Sequence, residues 1–264
     1  MESLNKMTVV VKDNGFGIKN IIINGPKTYN SLSFKTLNTL INIFRRLEKD
    51  NKTRVIILSG NGKGFSAGHN LKEVKNLKVR SKYLKLFNLC SKLMLNIVEG
   101  RKPVIAKVHG SAFAAGCQLA ASCDLAYAST DAKFATPGVN IGLFCSTPMV
   151  AVSRKVTRKI MMKMLLTGEP INAKYAKDIG LINDCYSSKK LNSEVLKIAK
   201  IISSKSNLTI KIGKQAFYKQ LEMPLGDAYK FTSKMMTLNM ASQDAKEGIS
   251  AFLQKRKPNW KNKY

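Results

Sequence analysis

The sequence predicts an α/β protein, a core of strands interleaved with helices that carries a C-terminal layer of helices alone. Three observations lead there. Short β-branched runs alternate with helix-period stripes through the first half of the 264-residue chain. Beyond about Pro148 the β-signals fade and helical stripes follow one another to the end. No internal repeat and no low-complexity linker interrupts the chain, so the expected division is a core over residues 1–195 and a helical region over 196–264.

In order, residues 9–12 and 19–23 form a hairpin around Asn14-Gly15, a strong turn dipeptide. Leu37, Leu40, Ile41, Phe44 and Leu47 mark one face of a helix between Phe34 and Glu48. Residues 54–59 read as a buried strand ended by Gly60, and Leu86, Leu89, Leu93 and Ile97 as the stripe of the next helix. Val104-Ile105-Ala106-Lys107-Val108 and Leu125-Ala126-Tyr127-Ala128 are further strands. Helices follow over 161–166, 173–177, 194–202, 208–220, 227–236 and 243–255.

Composition excludes some classes. No apolar run reaches the roughly 18 residues that span a bilayer. Residues 1–6 show neither a signal-peptide apolar region nor an Arg-rich amphipathic stretch, which leaves two alternatives open, a protein that stays in the cytoplasm or a targeting segment missing from this sequence. The five cysteines, Cys90, Cys117, Cys123, Cys145 and Cys185, form no Cys-x-x-Cys pair, and reduced, mostly buried thiols are expected with no metal site. The net charge of +29 attracts polyanions in principle, yet its lysines are dispersed singly, as on solvated helix faces.

The segments that carry chemistry are Gly110-Ser111-Ala112-Phe113-Ala114-Ala115-Gly116-Cys117-Gln118-Leu119, then Cys123-Asp124-Leu125-Ala126 and Phe134-Ala135-Thr136-Pro137-Gly138. Earlier come Asn24-Gly25-Pro26-Lys27-Thr28-Tyr29-Asn30-Ser31-Leu32 and Gly64-Phe65-Ser66-Ala67-Gly68-His69-Asn70-Leu71-Lys72-Glu73. Later come Leu166-Thr167-Gly168 with Gly180-Leu181, and the closing stretch from Glu247 to Pro258. In order and spacing together these resemble the crotonase (enoyl-CoA hydratase/isomerase) superfamily over nearly the whole chain. The resemblance implies a ClpP-like spiral of ββα units with a C-terminal helical trimerisation layer, assembled as trimers or hexamers. It is nearest to a branch usually placed in mitochondria.

The resemblance also implies a site. Backbone amides of His69 and Ala115 would form an oxyanion hole for a thioester carbonyl, kept tight by Gly68 and Gly116, and such preorganised donors are usually the largest catalytic contribution. Coenzyme A, arriving as part of the substrate rather than as a cofactor, would be held along Lys27, Ala67, Lys72, Phe252 and Lys255, with Ser146 and Cys145 on the loop facing the acyl group. The last two of the coenzyme A set come from a neighbouring subunit in the family. The hydratases of the family carry two glutamates where this chain has Gln118 and Gly138. A neutral amide and a residue without a side chain cannot move the protons that hydration requires.

Gln118 is left to hold a water or hydrogen-bond an acyl group, Asp124 to fix the core, and Glu73 to cap the helix that follows it. His69 is a candidate base near neutral pH, and His109 ends a strand beneath the site. Four activities stay open: slow hydration, decarboxylation or thioester hydrolysis using only the oxyanion hole, non-catalytic acyl-CoA binding, and RNA binding along a helix bearing Lys72, Lys75, Lys78, Arg80, Lys82 and Lys85.

Overall fold

The computed structural model describes residues 7–263; residues 1–6, where no targeting segment was expected, lie outside the described residues. Strands β1 (Val9–Asp13) and β2 (Ile18–Ile23) form the expected antiparallel hairpin, with Val9 opposite Ile23. Each following turn of the chain then lays one strand in a large sheet and one in a small sheet before entering helices. The first turn supplies β3 (Val55–Gly60), β4 (Gly64–Ser66), α2 (Leu71–Lys75) and α3 (Arg80–Val98), after helix α1 (Phe34–Lys49). The second supplies β5 (Val104–Val108), β6 (Ser111–Phe113) and α4 (Ala115–Ser122). The third supplies β7 (Leu125–Ser129), β8 (Lys133–Ala135) and α5 (Ser146–Val152).

The large sheet has the order β1-β2-β3-β5-β7-β10 and the small one β4-β6-β8-β9, where β9 is Ile171–Asn172 and β10 is Asp184–Tyr186. These last two strands correct the expectation that β-structure ends near Pro148. They are two and three residues long, too short for an alternating pattern to show in sequence. From β2 onward the large sheet is parallel, and strands buried on both faces should be continuously apolar. In β3, Ile56 and Leu58 join the main core with Leu37, Leu40 and Phe44 of α1, while Val55 and Ile57 face Leu191, Val195 and Ala199 of helix α8 (Ser188–Ser203).

Helix α8 runs across the 195/196 boundary and lays both of its halves on the sheet, so no linker stands there. Between β8 and β10 lie α6 (Arg158–Thr167) and α7 (Ala173–Asp178). The chain closes with α9 (Asn207–Gln220), α10 (Leu225–Met240) and α11 (Gln243–Leu253). No helix among the described residues is long and apolar enough to cross a membrane.

The lysine helix expected from residue 72 to 85 is two helices. Helix α2 ends at Lys75, and Lys78 takes a left-handed φ of 52° before α3 begins, so Lys72 and Lys75 do not share a helical face with Lys82 and Lys85.

Candidate active site

Two polypeptide bends meet at the edge of the small sheet. Strand β4 leads through Ala67 to Gly68, whose φ of +90° is open to glycine and strained for other residues. Strand β6 leads through Ala114 into the N-terminus of α4. A Cβ built on Gly68 would stand 3.1 Å from Ala115 N and 3.0 Å from Ala114 Cβ. One built on Gly116 would stand 2.1 Å from Ser66 O, so only a glycine lets the helix start so close to β4. Among the described residues neither the His69 amide nor the Ala115 amide donates to a protein acceptor; Ala115 is the first residue of α4, where N–H groups have no intrahelical partner. Two free donors beside a helix N-terminus favour a negatively polarised oxygen.

The segment from Gly25 to Leu32 braces the first bend. Asn30 accepts the Gly25 N–H through Oδ1 at 2.8 Å and donates through Nδ2 to the carbonyls of Asn61 and Gly64, each at 2.7 Å. Ala67 N–H donates to Tyr29 O at 2.9 Å and Leu32 N–H to Gly68 O at 2.7 Å. Exposed Lys27 thus belongs to the same bonded unit as Ala67 and Gly68, and exposed Lys72 follows at the start of α2. Phe252 and Lys255 lie elsewhere on this chain. Phe252 is 83% exposed near the end of α11, which packs on α9 and α10.

The side chains around the bends are less reactive than their types suggest. His69 Nδ1 lies 3.3 Å from Leu32 O, an acceptor, so the proton sits on Nδ1 and the lone pair on Nε2. That Nε2 is sealed from solvent without a partner, and the ring meets Phe87 edge-on at 5.6 Å. Burial pushes the imidazole pKa down, which keeps it neutral, but the sealed nitrogen has no surface to offer a ligand. His109 Nε2 pairs with Gly62 O at 2.8 Å and holds the turn after β3.

Asp124 fixes the core as expected. It accepts from Val104 N at 2.7 Å, Lys214 Nζ at 2.7 Å and Tyr218 OH at 3.0 Å, which ties α9 to the sheet. Glu73 departs from expectation: its Oε2 accepts the Phe34 N–H at the start of α1, whereas α2 is capped by Asn70 Oδ1.

At the two positions where the resemblance expected glutamate the surroundings differ. Gln118 is 4% exposed on α4, one turn after Ala115, and its Oε1 faces Cys90 Sγ at 3.9 Å. It lines a cleft of about 960 Å³ between α3, α4, α5 and α9, walled by Met94, Val98, Ala121, Val150 and Tyr218 among others. Gly138 has no such space. A Cβ there would stand 2.6 Å from Leu143 O and 2.9 Å from Cys145 Sγ, and its N–H donates to that sulfur at 3.3 Å. Cys145 is buried, which raises its pKa, and it is committed to this loop; Ser146 is exposed, and Thr147, Val150 and Ala151 are the α5 residues that reach the cleft.

The sequence did not single out Cys90 as a neighbour of Gln118, nor α9 as a wall of the cleft. Both contacts join residues far apart in the chain, with no local signal. All five cysteines are free, and among the described residues no cluster of three or more His, Cys, Asp or Glu is placed to hold a metal ion.

Comparison with known proteins gives the chain's family. The family model described as "Enoyl-CoA hydratase/isomerase" matches residues 13–263. Mitochondrial enoyl-CoA hydratase domain-containing protein 3 of Homo sapiens is 48% identical over 92% of this chain and 80% of its own length; that of Xenopus laevis is 46% identical over 96% and 86%. A crystal structure of enoyl-CoA hydratase from Mycobacterium smegmatis superposes with a TM-score of 0.95 at 43% identity, covering 97% of this chain and 99% of the other. That of the human domain-containing protein 3 superposes at 0.93 and 46% identity, covering 96% and 100%. The expected resemblance, down to its branch, and the expected spiral fold are therefore both found, and the chain belongs to the enoyl-CoA hydratase/isomerase family.

Proposed function

We propose that this chain binds acyl-CoA thioesters with the thioester carbonyl oxygen between the amides of His69 and Ala115, and does not catalyse ordinary enoyl hydration. The approach of Gly68 to within contact of Ala115 N carries the first half of the reading, because it brings two unpaired donors to one place. Removing one such donor typically costs about 3 kcal/mol of transition-state stabilisation. The second half rests on the missing proton shuttles. Losing one general acid or base lowers a rate by about 10²–10⁴, and here both carboxylates are absent.

Decarboxylation of a malonyl-type thioester is the chemistry that best suits such a site. The bond from the α-carbon to the carboxylate breaks, its electron pair stays as a thioester enolate held by the two amides, carbon dioxide leaves, and water returns a proton to the α-carbon. No protein base takes part. Crotonyl-CoA absorbance measures hydration, and mass spectrometry after incubation with malonyl-, methylmalonyl- and saturated acyl-CoA esters detects decarboxylation or hydrolysis. Turnover of crotonyl-CoA at the rate of a proficient hydratase would overturn this reading. Esters that raise the melting temperature without being consumed would establish a binder instead of an enzyme.

Self-association belongs to the same reading. Leu225, Tyr229, Met236, Phe252 and Leu253 are exposed on α10 and α11, large apolar side chains of the kind an interface covers. A trimer or a hexamer would cover it and would bring Phe252 and Lys255 to a neighbouring site. The human and Xenopus laevis relatives carry "mitochondrial" in their names, which supports that compartment for this chain.

A further inference from the structure

Among the described residues Gln118 is a buried amide with an unpaired donor. Its side-chain oxygen faces the Cys90 thiol, and its amide nitrogen has no partner, yet that nitrogen is not among the sealed polar atoms of the protein. The open direction is the cleft that Gln118 lines. The structure records the orientation, with the amide oxygen toward the Cys90 sulfur at 3.9 Å, and burial, which pushes that thiol up to about 12, keeps its proton available to the oxygen. The amide oxygen turns to the sulfur and the NH2 group turns to the cleft. A family glutamate at this place would present an acceptor; this chain presents two N–H donors. Leaving such donors unpaired on ligand binding costs free energy, and meeting them with an acceptor recovers it.

Geometry says which part of a ligand meets them. Gln118 stands three residues beyond Ala115, about 4.5 Å along the helix axis and on the same side of it. The cleft continues from Gln118 past Ala121 and Ser122 along that side. With the thioester oxygen at the Ala115 amide, as the acyl-CoA reading has it, an acyl chain that enters this cleft passes Gln118 within its first few carbons. Resting on the acyl-CoA reading above, we infer that Gln118 selects thioesters bearing a hydrogen-bond-accepting oxygen on carbon 3, a β-oxo group or a β-carboxylate, over thioesters with a plain alkyl chain. The two sources share one chemistry, a carbonyl-type oxygen on the carbon two bonds beyond the thioester carbon, and the experiment separates them.

Isothermal titration of the full chain with free coenzyme A, butyryl-CoA, acetoacetyl-CoA and malonyl-CoA tests this, with mass spectrometry of the recovered esters to detect turnover. At least one of the last two should bind about 10-fold tighter than butyryl-CoA, the worth of one good hydrogen bond. Acetoacetyl-CoA alone would identify the β-oxo group, malonyl-CoA alone the β-carboxylate. Gln118→Met, close in volume and without a donor, should bring the ratio to about one, and Gln118→Glu should disfavour malonyl-CoA below butyryl-CoA by charge repulsion. Equal affinity of all three esters in the wild type would overturn the inference and leave the acyl-CoA reading standing, as would a preference that survives Gln118→Met. Failure of all three esters and of free coenzyme A to bind would remove that reading and the inference with it.

Discussion

Gly138 and Cys145 close on each other: the Gly138 N–H donates to Cys145 Sγ at 3.3 Å, and a Cβ on Gly138 would intrude to 2.9 Å from the same sulfur and 2.6 Å from Leu143 O. A glutamate cannot simply be returned to position 138, because a backbone carbonyl occupies the space its first carbon needs. Gly138→Glu should destabilise the protein by about 1–3 kcal/mol through overpacking. Gln118→Glu combined with Gly138→Glu should still fail to hydrate crotonyl-CoA at a hydratase-like rate. Thermal unfolding and crotonyl-CoA absorbance check the two statements separately; a folded double variant with brisk hydration would show that the loop from Leu143 to Cys145 yields easily.

The second prediction concerns Ala114. Its φ of 48° and ψ of −118° place an alanine in a region that suits glycine, and both its ends are held, its N–H by Ala135 O at 2.9 Å and its carbonyl by Gln118 N at 3.0 Å. Strain of this kind costs on the order of 1–3 kcal/mol, while glycine adds up to about 1 kcal/mol of unfolded-state entropy. Ala114→Gly should therefore stabilise the protein, by roughly 1 kcal/mol, and raise the melting temperature by about 2–4 °C. A lowered melting temperature would mean that the alanine methyl packs well enough to outweigh its backbone.

Lys214 anchors helix α9 at the floor of the cleft. Its side chain is only 7% exposed, and its ammonium donates to the carbonyls of Ile97 and Lys102 and to Asp124 Oδ2. Breaking a buried pair from one side strands the other charge and typically costs about 3–5 kcal/mol. Lys214→Met should cost that order in denaturant unfolding. Adding Asp124→Asn should cost less than the sum of the two single changes, since the stranded charge is then gone. Strict additivity would show that the two groups do not act as a pair.

Much of this could be read from the chain before any coordinates. Helix α1 was visible because five apolar residues recur with a helical period over about three turns, and Ser33 caps it by accepting Thr36 N–H at 3.1 Å. Strands β4, β6 and β8 were not visible: each has three residues, rich in Gly, Ala and Ser, and exists because the sheet neighbours demand it. The same division holds at the site. Gly68 and Gly116 announced tight turns by their type and spacing. That Leu143 O fills the place beside Gly138, that the His69 ring is sealed under Phe87, and that Cys90 turns the Gln118 amide are all contacts between distant segments, which no local pattern encodes.

Acid should release the C-terminal tail through one carboxylate. Glu247 receives both guanidinium nitrogens of Arg256, at 2.6 and 2.8 Å, and the Asn259 N–H at 2.7 Å. Arg256 first, and the Asn259 amide second, hold its pKa down at about 2 against an ordinary 4.5. A depressed carboxyl pKa contributes stability that is complete above the unfolded value and is lost as pH falls from about 4.5 through about 2. The chain has a single tryptophan, Trp260, whose indole N–H donates to Ser204 O at 2.8 Å and whose ring lies against Gly248, so its fluorescence reports whether the tail is docked. Asp244 also holds the tail, accepting the Lys261 and Asn262 N–H groups, so the comparison has to be a difference. Wild-type fluorescence should change between pH 4.5 and 2, and Glu247→Gln should already show the loosened signal at pH 7 with a smaller change on acidification. An acid transition identical in the two proteins would assign the tail's docking to Asp244 and Trp260 and remove Glu247 from it.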